Sequence, residues 1–147
     1  MKRYPEPTVS AIIFNPEGKI LLCKSHKWEN KYVIPGGHIE LGEKMEEALK
    51  REVMEETGLK IYDIELISLK ESVYSETFHE KKHFIFIDYI CKTDSSKVSL
   101  NDEAEAYQWV DIGEIEEYEL GGFTKDLLLR LRSRDEFQDR VEIFYNY

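Results

Sequence analysis

The sequence predicts an α/β/α sandwich around a mixed β-sheet, with one helix on each side of the sheet. Three observations carry that expectation. Two apolar, β-branched segments near the start are separated by a turn signal. Two segments with helical periodicity, 44–57 and 124–134, stand far apart in the chain, and strand-like runs fill the stretch between them. At 147 residues with 41% hydrophobic content the chain is long enough to bury a core, and no shift in composition divides it. A single domain over residues 1–147 is therefore expected.

The first element is a hairpin. Residues 8–14 (TVSAIIF) and 19–24 (KILLCK) are rich in residues that favour strands, and Asn15-Pro16-Glu17-Gly18 between them supplies the turn. A polar loop with His26, Lys27, Trp28 and Lys31 follows, leading into a short strand from Tyr32 to Ile34. Lys27 can hold phosphate there and Trp28 can stack a base, or the Trp can simply pack on the sheet as part of a surface loop. Cys23 and Cys91 each lie alone in an apolar, strand-like run, which fits reduced core thiols better than a disulfide framework. The opening MKRYPEPT lacks the apolar run of a signal peptide, and no stretch is long enough to cross a membrane. These features predict a cytoplasmic protein with no membrane partner.

Residues 44–57 make the next element. They contain no Gly or Pro, are rich in Glu, Lys, Ala, Leu and Met, and end at Gly58, a natural helix stop. Met45, Ala48 and Leu49 form an apolar stripe at i, i+3 and i+4. The stripe then continues with Glu52, Glu55 and Glu56, where a plain amphipathic helix would place Leu or Ile. Three carboxylates on one face repel one another and resist desolvation. Either the face is solvated, as charge runs usually are, or a divalent cation with oxygen ligands neutralises it.

The surrounding residues bear on that choice. Gly37, Glu43, Arg51, Glu52, Val53, Glu55, Glu56, Gly58 and Leu59 match, position for position, the box that marks the Nudix hydrolases, which this stretch resembles. The resemblance implies that Glu52, Glu55 and Glu56 bind Mg2+ or Mn2+, with the backbone carbonyl of Gly36 as a further ligand. A glycine at 36 would suit a carbonyl directed by an unusual backbone turn. Glu43 and Arg51, with the box glycines Gly37 and Gly58, are implied to brace the box rather than to do chemistry. Arg51 also has Glu47 and Glu55 at i−4 and i+4 as local partners. His38 falls at a variable box position and is given no metal role.

Beyond the box, residues 61–75 and 83–92 (HFIFIDYICK) read as strands joined by a polar stretch. His79 and His83 are four apart, but on a loop running into a strand that spacing does not make a metal site. Tyr74 is a weak substrate-binding candidate, because a Tyr stands about this far past the box in relatives that cleave dinucleoside polyphosphates. Residues 101–115 (NDEAEAYQWVDIGEI) resemble the family's acidic loop, Trp-containing strand and short acidic helix, in which a carboxylate before the Trp adds a ligand or a base. Glu103 and Glu105 are both candidates, and the reading favours Glu103. Residues 124–134 place Leu127, Leu128 and Leu131 on one helix face, with Thr124 as the N-cap. Residues 135–147 alternate Val141, Ile143, Tyr145 and Tyr147, the pattern of an edge strand that packs on the domain or forms a homodimer contact.

The implied reaction is hydrolysis of a diphosphate linkage in a nucleoside diphosphate attached to another group. The substrate would be a nucleoside triphosphate, nucleotide sugar, ADP-ribose or dinucleoside polyphosphate. A net charge of −10 would repel such a substrate, so Mg2+ or Mn2+ must bridge the two, with Glu52, Glu56 or Glu103 as the catalytic carboxylate. The same acidity, with a pI near 4.9, argues against a nucleic-acid partner. The alternative is a domain of the same fold that binds a nucleotide or sugar nucleotide without cleaving it, and decayed box carboxylates would mark it.

Overall fold

A computed structural model describes residues 3–133. Among the described residues, seven strands and two α-helices follow one another. The first four strands are β1 (Glu6–Phe14), β2 (Ile20–Ser25), β3 (Lys31–Val33) and β4 (Gly36–His38). Helix α1 (Met45–Thr57) precedes β5 (Tyr62–Val73), β6 (His83–Lys92) and β7 (Ala106–Val110), and α2 (Gly122–Ser133) comes last. The sheet order is β3-β2-β1-β6-β5, with β4 also paired to β1 and β7 to β2. Among the described strands only β1 and β6 pair in parallel, so the sheet is mixed as the sequence predicts.

The turn residues act as their types require. Asn15 Oδ1 accepts from the N–H groups of Glu17 (3.1 Å) and Lys19 (2.8 Å), and Gly18 takes a φ of 76°. β1 and β2 then diverge after the Phe14–Ile20 pair, which frees β1 to pair with β4 on one side and β6 on the other. The strand alternation of β1 feeds two cores. Val9, Ala11 and Ile13 join Ala48, Leu49 and Val53 of α1, whereas Ile12 joins Ile20, Leu22, Leu127 and Leu128 on the α2 side.

Both helices form where periodicity places them. In α1 the Glu47 carboxylate accepts from the Lys44 N–H (3.2 Å), and Gly58, at φ 75°, closes the helix with its N–H on the Met54 carbonyl. In α2 the predicted cap is displaced. The helix starts at Gly122, with the Lys125 N–H on the Gly121 carbonyl, so Thr124 is a buried residue of the first turn rather than the N-cap. Cys23 and Cys91 are free and buried, and burial pushes both thiols up to about 12. No helix among the described residues is long and apolar enough to cross a membrane. The predicted edge strand and dimer contact of 135–147 lie outside the described residues.

Candidate active site

The site begins where α1 lies against β4. β4 is too short and too glycine-rich to read as a strand, and its glycines are set by close approach. A Cβ on Gly37 would fall on the Glu52 carboxylate, and one on Gly36 would fall on the backbone of Val9 and Ser10, its β1 neighbours. Gly36 does not have positive φ, so crowding, and not the expected unusual turn, explains it. The Gly36 N–H donates to Glu56 Oε2 at 3.0 Å.

Three carboxylates converge beside these glycines. Oxygens of Glu52, Glu56 and Glu103 lie within 4.8 Å of one another. Glu52 and Glu56 stand one turn apart on α1; Glu103 arrives on the loop before β7. There its N–H donates to Asn101 Oδ1 (3.0 Å), and Lys27 Nζ lies 3.6 Å from its carboxylate. Of the two acidic candidates in that loop, the fold brings Glu103 to the site. Glu105 faces Lys24 at 3.9 Å, away from the cluster. Glu55 is also apart, exposed and bonded to Arg51 Nη1 at 3.3 Å.

Burial raises the carboxyl of Glu56 to about 10, helped by its hydrogen bond to Glu103, while the Gly36 N–H opposes the shift. Glu103 is lowered, chiefly because it accepts that bond. Glu52 is raised by burial, against the pull of Arg51. In the metal-free protein the cluster thus keeps a proton that Glu56 shares with Glu103. An all-oxygen donor set with excess negative charge at a partly desolvated point fits a hard divalent cation.

Arg51 locks this arrangement to the preceding loop. Its guanidinium grips Glu43 through Nε (2.7 Å) and Nη2 (3.0 Å), reaches the His38 carbonyl (2.9 Å) and donates to Glu52 Oε1 (2.9 Å). Arg51 holds the Glu43 carboxyl down to about 2. The expected local pair with Glu47 is not made, because Glu47 caps the helix instead.

A cavity of about 200 Å³ opens beside the carboxylates. Trp28 is packed among Phe78 (4.7 Å between centroids), Phe86 and Phe123 (each 6.2 Å) and Phe84 (6.3 Å), and it lines this cavity with Lys27. Trp28 therefore packs on the sheet, as one reading of that loop has it, and also faces the cavity. Tyr74 is not brought there; it is 55% exposed, with the Lys81 ammonium 4.8 Å from its ring. His83 is bonded to Glu71 (2.8 Å) and His38 to Glu6 (2.8 Å), both outside the carboxylate cluster. The sequence reading missed Lys70 and Asp88, which line the cavity 3.3 Å apart. The signal available was the single Asp within HFIFIDYICK.

Comparison with known proteins agrees with this architecture. A family model described as the NUDIX domain matches residues 4–131. Nucleoside triphosphatase NudI of Escherichia coli (strain K12) is 28% identical over 131 residues, covering 82% of this chain and 93% of that relative. The MutT protein from Methanosarcina mazei Go1 superposes with a TM-score of 0.75 at 24% identity, over 92% of this chain and 99% of the other. A Nudix hydrolase from Nitrosomonas europaea gives a TM-score of 0.77 at 20% identity, over 98% of each chain. With the family model spanning the whole sheet, α1 and all but the end of α2, the chain belongs to the Nudix hydrolase family.

Proposed function

We propose that the chain hydrolyses a diphosphate linkage in a nucleoside diphosphate attached to another group, using Mg2+ or Mn2+. The observation that carries this reading is the convergence of Glu52, Glu56 and Glu103 within 4.8 Å at the edge of an aromatic cavity. When bound, the cation would neutralise phosphate oxygens and lower the pKa of a coordinated water. Glu52 and Glu56, fixed on a helix and braced by Arg51 and Gly36, are the principal ligands in this reading. Glu103, carried on a loop with the Lys27 ammonium 3.6 Å from its carboxylate, is the general base. The Gly36 carbonyl and Glu55 are secondary ligands implied by the box. Lys27, beside Glu103 at the cavity edge, meets the phosphate. Nucleoside triphosphates rank first among substrates because a relative that matches most of this chain carries that activity in its name. Two buried free thiols support a reducing compartment such as the cytoplasm.

The test is phosphate release with and without Mg2+ over nucleoside triphosphates, ADP-ribose, nucleotide sugars and dinucleoside polyphosphates. Metal-dependent cleavage with one preferred class is expected. Glu52→Gln, Glu56→Gln and Glu103→Gln should each lower kcat by about 100-fold or more with the melting transition retained. Near-normal turnover in all three variants would move the chemistry elsewhere, and binding without cleavage would favour the nucleotide-binding alternative.

A further inference from the structure

The carboxylates occupy one end of the cavity, and a different chemistry builds the other. Strand register across β1, β6 and β5 sets Ser10, Asp88 and Ser68 in one row and Thr8, Phe86 and Lys70 in the next. The neighbouring row holds Ile12 and Ile90 of the α2-side core. The same sheet face thus turns from apolar to polar within two residues on adjacent strands. Polar groups placed there cost free energy unless they are partnered.

Asp88, 2% exposed, forms an ion pair with Lys70, its Oδ2 lying 3.3 Å from Nζ without a hydrogen bond, and Ser10 and Ser68 stand beside it in register on the neighbouring strands. Lys70 Nζ also donates to the Phe123 carbonyl at 3.0 Å and lies 5.8 Å and 6.0 Å from the ring centroids of Phe123 and Phe86. An ammonium has three N–H bonds; the Phe123 carbonyl engages one, and the Asp88 carboxylate is an ion-pair contact. Thr8 Oγ1, buried on the same cavity wall, has no hydrogen-bond partner. A buried ion pair of this kind adds little to stability over well-packed apolar residues. Its place on a cavity walled by Trp28, Phe84, Phe86 and Phe123 gives it a use in recognition.

We propose that Lys70, anchored by Asp88, selects the nucleobase. Its ammonium donates to the carbonyl oxygen that guanine, uracil and thymine carry at the ring position where adenine and cytosine carry an amino group. The base stacks against the aromatic wall, and an amino group at that position would set donor against donor. A charged hydrogen bond gained or lost there corresponds to about tenfold or more in affinity. This assignment rests on the nucleotide reading of the site.

The experiment is calorimetric binding of GMP against AMP, and of UMP against CMP, to the full chain with Mg2+. Each pair holds ring size constant. GMP and UMP should bind about tenfold or more tightly than their amino counterparts. Lys70→Met should bring each ratio near one. Lys70→Met/Asp88→Asn should do the same without leaving a buried carboxylate unpaired. Equal affinities in the wild-type protein, or a preference that survives in either folded variant, would overturn the assignment, and the wild-type comparison needs no variant to fold. Monophosphate binding is read without cleavage, so the two readings fail separately. Preference without hydrolysis of the matching triphosphates would retire the hydrolase and leave Lys70 as selector. Hydrolysis without preference would do the reverse.

Discussion

Glu56 shares its α1 face with buried Ala48, Leu49, Val53 and Thr57, and its carboxyl meets the Gly36 N–H, Glu103 and Glu52. In the metal-free protein it keeps its proton to about pH 10, whereas the unfolded chain releases one near the ordinary 4.5. Between those limits the folded state binds more protons, so stability falls as pH rises. The lowered carboxyl of Glu103 adds no slope in that window, because its stabilising effect is complete above the unfolded value. With metal removed by chelator, the melting temperature should decline from about pH 5 to about pH 9, and Glu56→Gln should flatten the decline. Parallel slopes in the two proteins would refute the shared-proton picture. Glu52 and Glu56 were legible in the sequence because they break a helical apolar stripe. Lys70 and Asp88 were not, because β6 lies between two cores and reads as one nearly continuous apolar run, which hides the face its Asp occupies.

α1 and β4 depend on each other in a way that neither segment shows alone. The helix was legible almost to the residue, from its period and from Gly58. β4 carries no strand propensity, and only the approach of Val9, Ser10 and the Glu52 carboxylate explains Gly36 and Gly37. The start of α2 was misplaced for a related reason: the Gly121 carbonyl accepts the first helical bond before Thr124 is reached. Arg51 joins the loop after β4 to the helix, and its planar fork bonds both oxygens of Glu43 while a third nitrogen reaches Glu52. Arg51→Lys keeps the charge and loses the fork. It should lower kcat by about 10- to 100-fold with little change in melting temperature, as expected for loss of a bracing contact behind a proposed metal ligand. Gly37→Ala, which drives a Cβ onto the Glu52 carboxylate, should impair turnover comparably. Normal kcat in both would show that Glu52 does not need this brace.

At the scale of the whole molecule, a net charge of −10 faces an anionic substrate. Unopposed cations at the cavity would reverse that repulsion, but each lysine that lines it is already faced by a carboxylate. Lys27 pairs with Glu103 (3.6 Å) and Lys70 with Asp88 (3.3 Å); outside the lining, Lys24 pairs with Glu105 (3.9 Å) and Lys31 with Glu29 (3.9 Å). Paired in this way, they create little field beyond the cavity mouth, and the long-range potential is set by the net charge. Screening then helps encounter. The Debye length falls from about 30 Å at about 10 mM ionic strength to about 8 Å at about 150 mM. At fixed saturating Mg2+, kcat/KM for a nucleoside triphosphate should therefore rise across that range. An enzyme steered by a positive funnel shows the opposite trend. A fall in kcat/KM would mean that Lys27 commands the approach of substrate, and Lys27→Met would then remove the salt dependence.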